Sequence, residues 1–317
     1  MREDVTFVSG AERCAGWRLT GQGDAFAGER GRPCMIMAPG FGHTRDSGLQ
    51  PFAERFVGAG LDVLLFDYRT FADSTGHPRR HVDWRRHRED FHAAVAFARG
   101  LDGVDPRRIV LWGTSYAGGH VISVAADDPG IAAVIAQVPA TDGLVALANM
   151  ARHAGPVALA RATAIALIDA LGALTARPPV RLPIVGRPGT LAAMTTPDAL
   201  PGSQAIAGPA FVNDFCARGA LLVGRNRPIT RAGAVRCPLL VQIAEHDLVA
   251  PVASARKAVD RAPNAELRTY PVGHFDVYAG EPRERVLADQ LDFLGRHLAA
   301  AGGHDPVPAA TGTATIR

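Results

Sequence analysis

The segment Trp112-Gly113-Thr114-Ser115-Tyr116-Ala117-Gly118-Gly119 joins the apolar run Ile109-Val110-Leu111 to an alanine- and valine-rich helical pattern. That order reads as a strand, a sharp turn and a helix. A serine on so tight a turn projects its hydroxyl above the sheet edge, and the small neighbours Gly113, Ala117 and Gly118 let the backbone bend without side-chain clashes. Position alone makes Ser115 a candidate nucleophile.

A nucleophilic serine needs a base to take its proton and an acid to orient that base. Downstream, Pro238 to Ala244 reads as a buried strand that runs into Glu245-His246-Asp247, and Leu267 to Val272 leads into Gly273-His274-Phe275. Asp247 and His274 therefore fall on loops after strands. The order Ser115, Asp247, His274 is nucleophile, acid, base, and it differs from the orders in chymotrypsin and subtilisin. Glu245 beside Asp247, and Asp142 after the preceding strand, are the competing choices for the acid.

Across residues 33 to 298 these features resemble an α/β-hydrolase of the serine esterase, thioesterase and X-Pro-peptidase-like branch. The serine turn departs from the commoner pattern by carrying Ala117 where glycine is usual, with Gly118 next. Pro39-Gly40-Phe41-Gly42, after the strand Met35 to Ala38, stands where many members have His-Gly. The donors needed there are backbone N–H groups, so the missing histidine does not remove them. The resemblance implies an oxyanion hole built from the Phe41 and Tyr116 N–H groups. His43, just beyond that loop, is a candidate substrate contact, with an ordinary surface histidine as the alternative.

The rest of the chain fits that fold. Val5 to Val8 and Cys14 to Leu19 suggest an antiparallel start, followed by strands at 35–38, 63–66, 109–111 and 133–136. Helical patterns lie between them at 47–59 and 84–99, which implies a mostly parallel sheet with helices on both faces. The alternation stops near Thr141 and resumes near Cys237, too long a gap for a plain loop. We expect a helical lid insertion over residues 141–235, of several short helices broken at Pro178, Pro179, Pro183, Pro188, Pro197 and Pro201. The discontinuous core would then span 1–140 and 236–301, with a disordered tail at 302–317.

Composition narrows the function classes. A chain of 317 residues with 47% hydrophobic residues suffices for one large domain, and its net charge of +3 is too small and too dispersed to indicate nucleic-acid binding. The basic run from His77 to Arg88 could attract an anionic acyl carrier, but it also reads as a solvated helix entrance with Trp84 packed inward. Asp67-Tyr68-Arg69 reads as a buried network bracing neighbouring loops. Cys14, Cys34, Cys216 and Cys237 form no CxxC pair, so reduced, structural thiols are expected. The stretch from Ala154 to Leu174 has the length of a membrane span, but Arg161 and Asp169 would each cost about 2.5–3.5 kcal/mol at a bilayer centre. We therefore expect no membrane partner, a cytoplasmic location, no cofactor and no metal, and leave a homodimer open. The expected activity is hydrolysis of a small-molecule carboxylic ester or thioester with an apolar acyl or alcohol group. Peptidase action, acyl transfer and non-catalytic ligand binding are the alternatives.

Overall fold

A computed structural model describes residues 2–298; the expected tail at 302–317 lies outside the described residues. The chain opens with β1 (Arg2–Ser9) and β2 (Glu12–Leu19), then runs through β3 (Arg32–Ala38), α1 (Gln50–Gly58), β4 (Asp62–Phe66), α2 (Trp84–Arg99), β5 (Val104–Thr114), α3 (Tyr116–Asp127) and β6 (Ala133–Gln137). After β6 come α4 (Gly143–Ala154), α5 (Pro156–Ala173), the short β7 (Arg181–Leu182), α6 (Ala199–Ile206), β8 (Phe215–Cys216) and α7 (Ala220–Val223). The alternation resumes with β9 (Leu239–Ala244), α8 (Val252–Arg261), β10 (Ala265–Tyr270) and α9 (Gly280–Leu298).

Eight strands form one sheet in the order β1-β2-β4-β3-β5-β6-β9-β10. β2 is antiparallel to both β1 and β4, and the remaining neighbours are parallel. Parallel strands covered on both faces must be apolar at successive positions. β3 shows this: Cys34, Ile36 and Ala38 pack in the core layer that holds Phe91, Val95 and Val121 of α2 and α3, whereas Met35 and Met37 pack in the layer that holds Phe52 of α1 and Phe293 of α9. The expected fold class holds.

Between β6 and β9 the helices are of unequal length: α4 and α5 have 12 and 18 residues, and the short α6 and α7 follow. α5 runs 18 residues unbroken, and α4 ends at Gly155, whose φ of 88° turns the chain into Pro156. Pro201 does not break a helix as expected; it is the third residue of α6, within the first turn, where a backbone N–H has no intrahelical partner to lose. The two-stranded β7–β8 ribbon carries too few residues to leave a pattern in sequence.

The Asp67–Arg69 segment braces its neighbours as expected. Asp67 accepts from the Arg45 N–H at 2.6 Å and pairs with its guanidinium, while the Arg69 N–H donates to Asp90 at 2.9 Å. Burial pushes the Asp67 carboxyl up to about 6 against the pull of Arg45. The run from His77 to Arg88 is no free cationic patch: Arg80 pairs with Asp214, Arg86 with Glu12 and Arg88 with Asp127.

Candidate active site

Ser115 sits between β5 and α3 with φ 54° and ψ −117°, a left-handed conformation that costs a non-glycine residue about 1–3 kcal/mol. Hydrogen bonds on both sides of the residue hold it there. Its N–H donates to Gln137 O at 2.9 Å, and its carbonyl accepts from Ala140 N at 2.9 Å and Gly119 N at 3.3 Å. A Cβ on Gly113 would lie 2.4 Å from Ala117 O, so this turn admits only glycine there. Ala117 is fully buried and fits without such an overlap, which accounts for the departure from the commoner pattern.

The loop after β9 and the loop after β10 bring the other two groups to this turn. His274 Nε2 is 3.1 Å from Ser115 Oγ, and His274 Nδ1 is 2.6 Å from Asp247 Oδ2. The second carboxylate oxygen of Asp247 accepts the N–H groups of Val249 at 2.8 Å and Ala250 at 2.7 Å, which fixes the side chain in its own loop. A carboxylate at Nδ1 keeps the ring proton on that side, so Nε2 is free to accept the Ser115 proton. Glu245 is exposed and lies near Arg256 instead. Asp142 caps α4 by accepting from Leu144 N, and Arg227 engages both its oxygens.

Phe41, Ser115 and Tyr116 share one cavity wall. The loop carrying Phe41 presses on the serine so closely that a Cβ on Gly40 would lie 3.1 Å from the Ser115 Cβ. Neither the Phe41 nor the Tyr116 N–H donates to an acceptor among the described residues. Two unspent amide donors beside an accessible serine can stabilise a developing oxyanion. The Phe41 and Tyr116 rings meet edge to face at 5.2 Å, and Phe41 meets Phe215 at the same distance.

Ser115 opens onto a cavity of about 460 Å³ whose walls come mostly from α4, α5, α7 and the chain between α5 and α6. Leu147, Met150, Leu159, Leu182, Met194 and Phe215 give it an apolar lining. These residues left no signal in sequence, because nothing local to them ties them to the serine turn. His43 does not lie on the open surface: it is 7% exposed, stacks on Phe211 at 4.5 Å, and meets Ser203 Oγ at 3.0 Å through Nε2. Burial, reinforced by nearby His274, pushes its pKa down to about 4.

Behind the serine turn lies a polar support. Thr114 Oγ1 meets Tyr278 OH at 2.5 Å and accepts from Gln137 Nε2 at 3.2 Å. Gln290 Nε2 of α9 donates to the side-chain carbonyls of Gln137 and Gln242 at 3.0 and 2.6 Å, and Gln290 Oε1 accepts from Trp112 Nε1 at 3.3 Å. All three glutamines are completely buried.

A family model described as X-Pro dipeptidyl-peptidase (S15 family) matches residues 26–186. The chain is 39% identical over 295 residues to the quorum-quenching protein AidA of Acinetobacter baumannii (strain MDR-ZJ06), an alignment spanning 92% of this chain and 94% of the relative. It is 31% identical over 313 residues to the polyketide transferase ATR5 of Stachybotrys chlorohalonatus (strain IBT 40285), spanning 94% and 98%. The crystal structure of the α/β hydrolase GrgF from Penicillium sp. sh18 matches with a TM-score of 0.78 at 26% identity, over 94% of this chain and 99% of that one.

Proposed function

The chain belongs to the α/β-hydrolase superfamily, within the family described as X-Pro dipeptidyl-peptidase (S15 family), and on that premise we propose that it is a serine hydrolase that cleaves a carboxylic ester or thioester through an acyl-enzyme. The observation that carries this reading is the 3.1 Å approach of His274 Nε2 to Ser115 Oγ at the wall of an apolar cavity. His274 takes the Ser115 proton as Oγ attacks the acyl carbon. The Phe41 and Tyr116 N–H groups receive the oxyanion, each such donor contributing about 2.7–4 kcal/mol to the transition state. Collapse expels the alcohol or thiol, protonated by His274, and water then releases the acid.

The lining favours an apolar acyl or alcohol group over a peptide. A dipeptidyl-peptidase has to neutralise its substrate's N-terminal ammonium, and the carboxylate on the cavity wall, Asp142, is already engaged by Arg227. We propose that α4 to α7 form the lid over this cavity. The relative named a polyketide transferase keeps acyl transfer as the second reading, since an acyl-enzyme serves either outcome. Turnover of p-nitrophenyl esters of increasing chain length, alongside aminoacyl-p-nitroanilides, tests the proposal. Ester cleavage rising with chain length supports it, and anilide cleavage without ester cleavage contradicts it.

A further inference from the structure

The outer face of α5 carries a row of exposed apolar residues. Val157, Ala160, Ala164, Leu167 and Leu171 lie along the helix, and Leu174 follows at its C-cap, still in helical backbone, with successive spacings of three, four, three, four and three residues. A repeat of that kind averages 3.5 residues and draws one narrow seam along a helix, the pattern by which two helices pair. Ile168 flanks the seam, and Val157, Leu167, Ile168, Leu171 and Leu174 are each 50–82% exposed. Ala162, Ala166 and Asp169, the buried residues of α5, lie on the opposite side, and Leu159, Ala162 and Thr163 line the large cavity. The helix is therefore apolar on both sides, one turned to the cavity and the other to solvent.

We propose that this seam pairs with α5 of a second copy of the chain, antiparallel, about a two-fold axis between residues 165 and 166. In that register Ala160 faces Leu171 of the other copy, Ala164 faces Leu167 and Val157 faces Leu174, so small side chains meet large ones on both sides of the axis. A parallel pairing would set alanine against alanine at one end and leucine against leucine at the other, and so splay the helices.

Charge and area agree with the antiparallel pair. Arg161 is the one charged residue on the exposed side of α5, and in this register it stands about 13 Å along the axis from its own copy. Asp169 points inward and pairs with Arg218. Covering the five large side chains on both copies removes up to about 1,200 Å² from water, the lower end of the range for stable interfaces. A lipid surface would also take an apolar stripe, but α5 carries no aromatic residue, and a fluid surface makes no use of alternating small and large side chains. Pairing holds the α5 wall of the large cavity from outside.

Sedimentation velocity of the full chain from about 1 to about 200 µM tests this. Wild type should pass from monomer to dimer across that range. Leu171→Glu and Ala164→Glu, at positions exposed in the monomer, should keep the wild-type unfolding midpoint and each weaken dimerisation by at least about tenfold, because they place a carboxylate in the seam. Orientation is read by cross-linking on a Cys237→Ser background, which removes the one cysteine that is not buried. Val157→Cys mixed with Leu174→Cys should form a disulfide-linked dimer at least about tenfold faster than either variant alone. A chain that stays monomeric throughout, or a dimer that survives both glutamate substitutions, overturns the proposal. Self-coupling of each cysteine variant that outpaces the mixture overturns the antiparallel register. A monomer that cosediments with vesicles of phosphatidylcholine and phosphatidylglycerol, and ceases to do so in Leu171→Glu, gives the stripe to a lipid surface instead.

Discussion

Arg227 engages both oxygens of Asp142, with Nε 3.0 Å from one and Nη2 2.9 Å from the other, and thereby spends the carboxylate that competes with Asp247 in sequence. Asp247 is the acid in contact with His274, at 2.6 Å. Asp247→Asn should therefore reduce kcat by up to about 10⁴-fold, as loss of the orienting carboxylate does in a serine protease. Asp142→Asn should change kcat by less than about tenfold, because an asparagine oxygen still caps α4 and only the charge pair with Arg227 is lost. Ester hydrolysis by the two purified variants distinguishes these outcomes, and a larger loss in Asp142→Asn would mean that the acid is misplaced.

The large cavity sets a length dependence. Each methylene buried contributes about 0.8 kcal/mol, so kcat/KM should rise about fourfold per carbon until the chain reaches the far wall. Ala146 lines that cavity, and Ala146→Leu should move the optimum to a shorter chain. The measurement is kcat/KM across acetyl to dodecanoyl esters, and an optimum that does not move would place the acyl chain elsewhere.

Gln290 ties α9 to three strands of the sheet through Trp112, Gln137 and Gln242. Gln290→Leu strands a buried indole N–H and two amide oxygens, and should cost about 2–5 kcal/mol in urea unfolding. A loss below about 1 kcal/mol would mean that the network contributes little.

The histidines buried near the serine turn give stability a pH dependence. Burial holds His43 at about 4 and His120 at about 3, and pushes His87 well below its usual value. Each ring is neutral in the fold and protonates more readily in the unfolded chain, so its contribution is complete above about pH 6.5 and is lost as pH falls toward the folded value. The slope is about 1.4 kcal/mol per pH unit for each group. Asp67, raised to about 6, and Asp90, also raised by burial, act in the opposite sense over part of that range, two carboxyls against these three imidazoles. Urea unfolding free energies should fall between about pH 6.5 and pH 4.5, less steeply in His120→Gln; a flat profile would contradict the burial of these rings.

Much of the sheet was legible in sequence because parallel strands buried on both faces are continuous apolar runs, as at Leu239 to Ala244, and because Ser115 sits in a turn that only small residues can make. His274 and Asp247 were legible as loop residues after strands, although which acid meets the imidazole depended on Arg227, distant in sequence and without a motif. The segment between β6 and β9 was harder to read. Its prolines suggested breaks, yet α5 runs through Ala173 before the first of the expected ones, and Pro201 sits in the one turn of a helix that tolerates it. His43 suggested a surface loop because the stacking of Phe211 and the hydroxyl of Ser203, which bury it, come from far along the chain.

The most direct test of the account is active-site labelling with a fluorophosphonate followed by peptide mass mapping. Wild type should carry a single adduct on the peptide containing Ser115, and Ser115→Ala should lose both the adduct and ester turnover while keeping the wild-type unfolding midpoint. An adduct or turnover that survives in Ser115→Ala would contradict the assignment of Ser115 as the nucleophile.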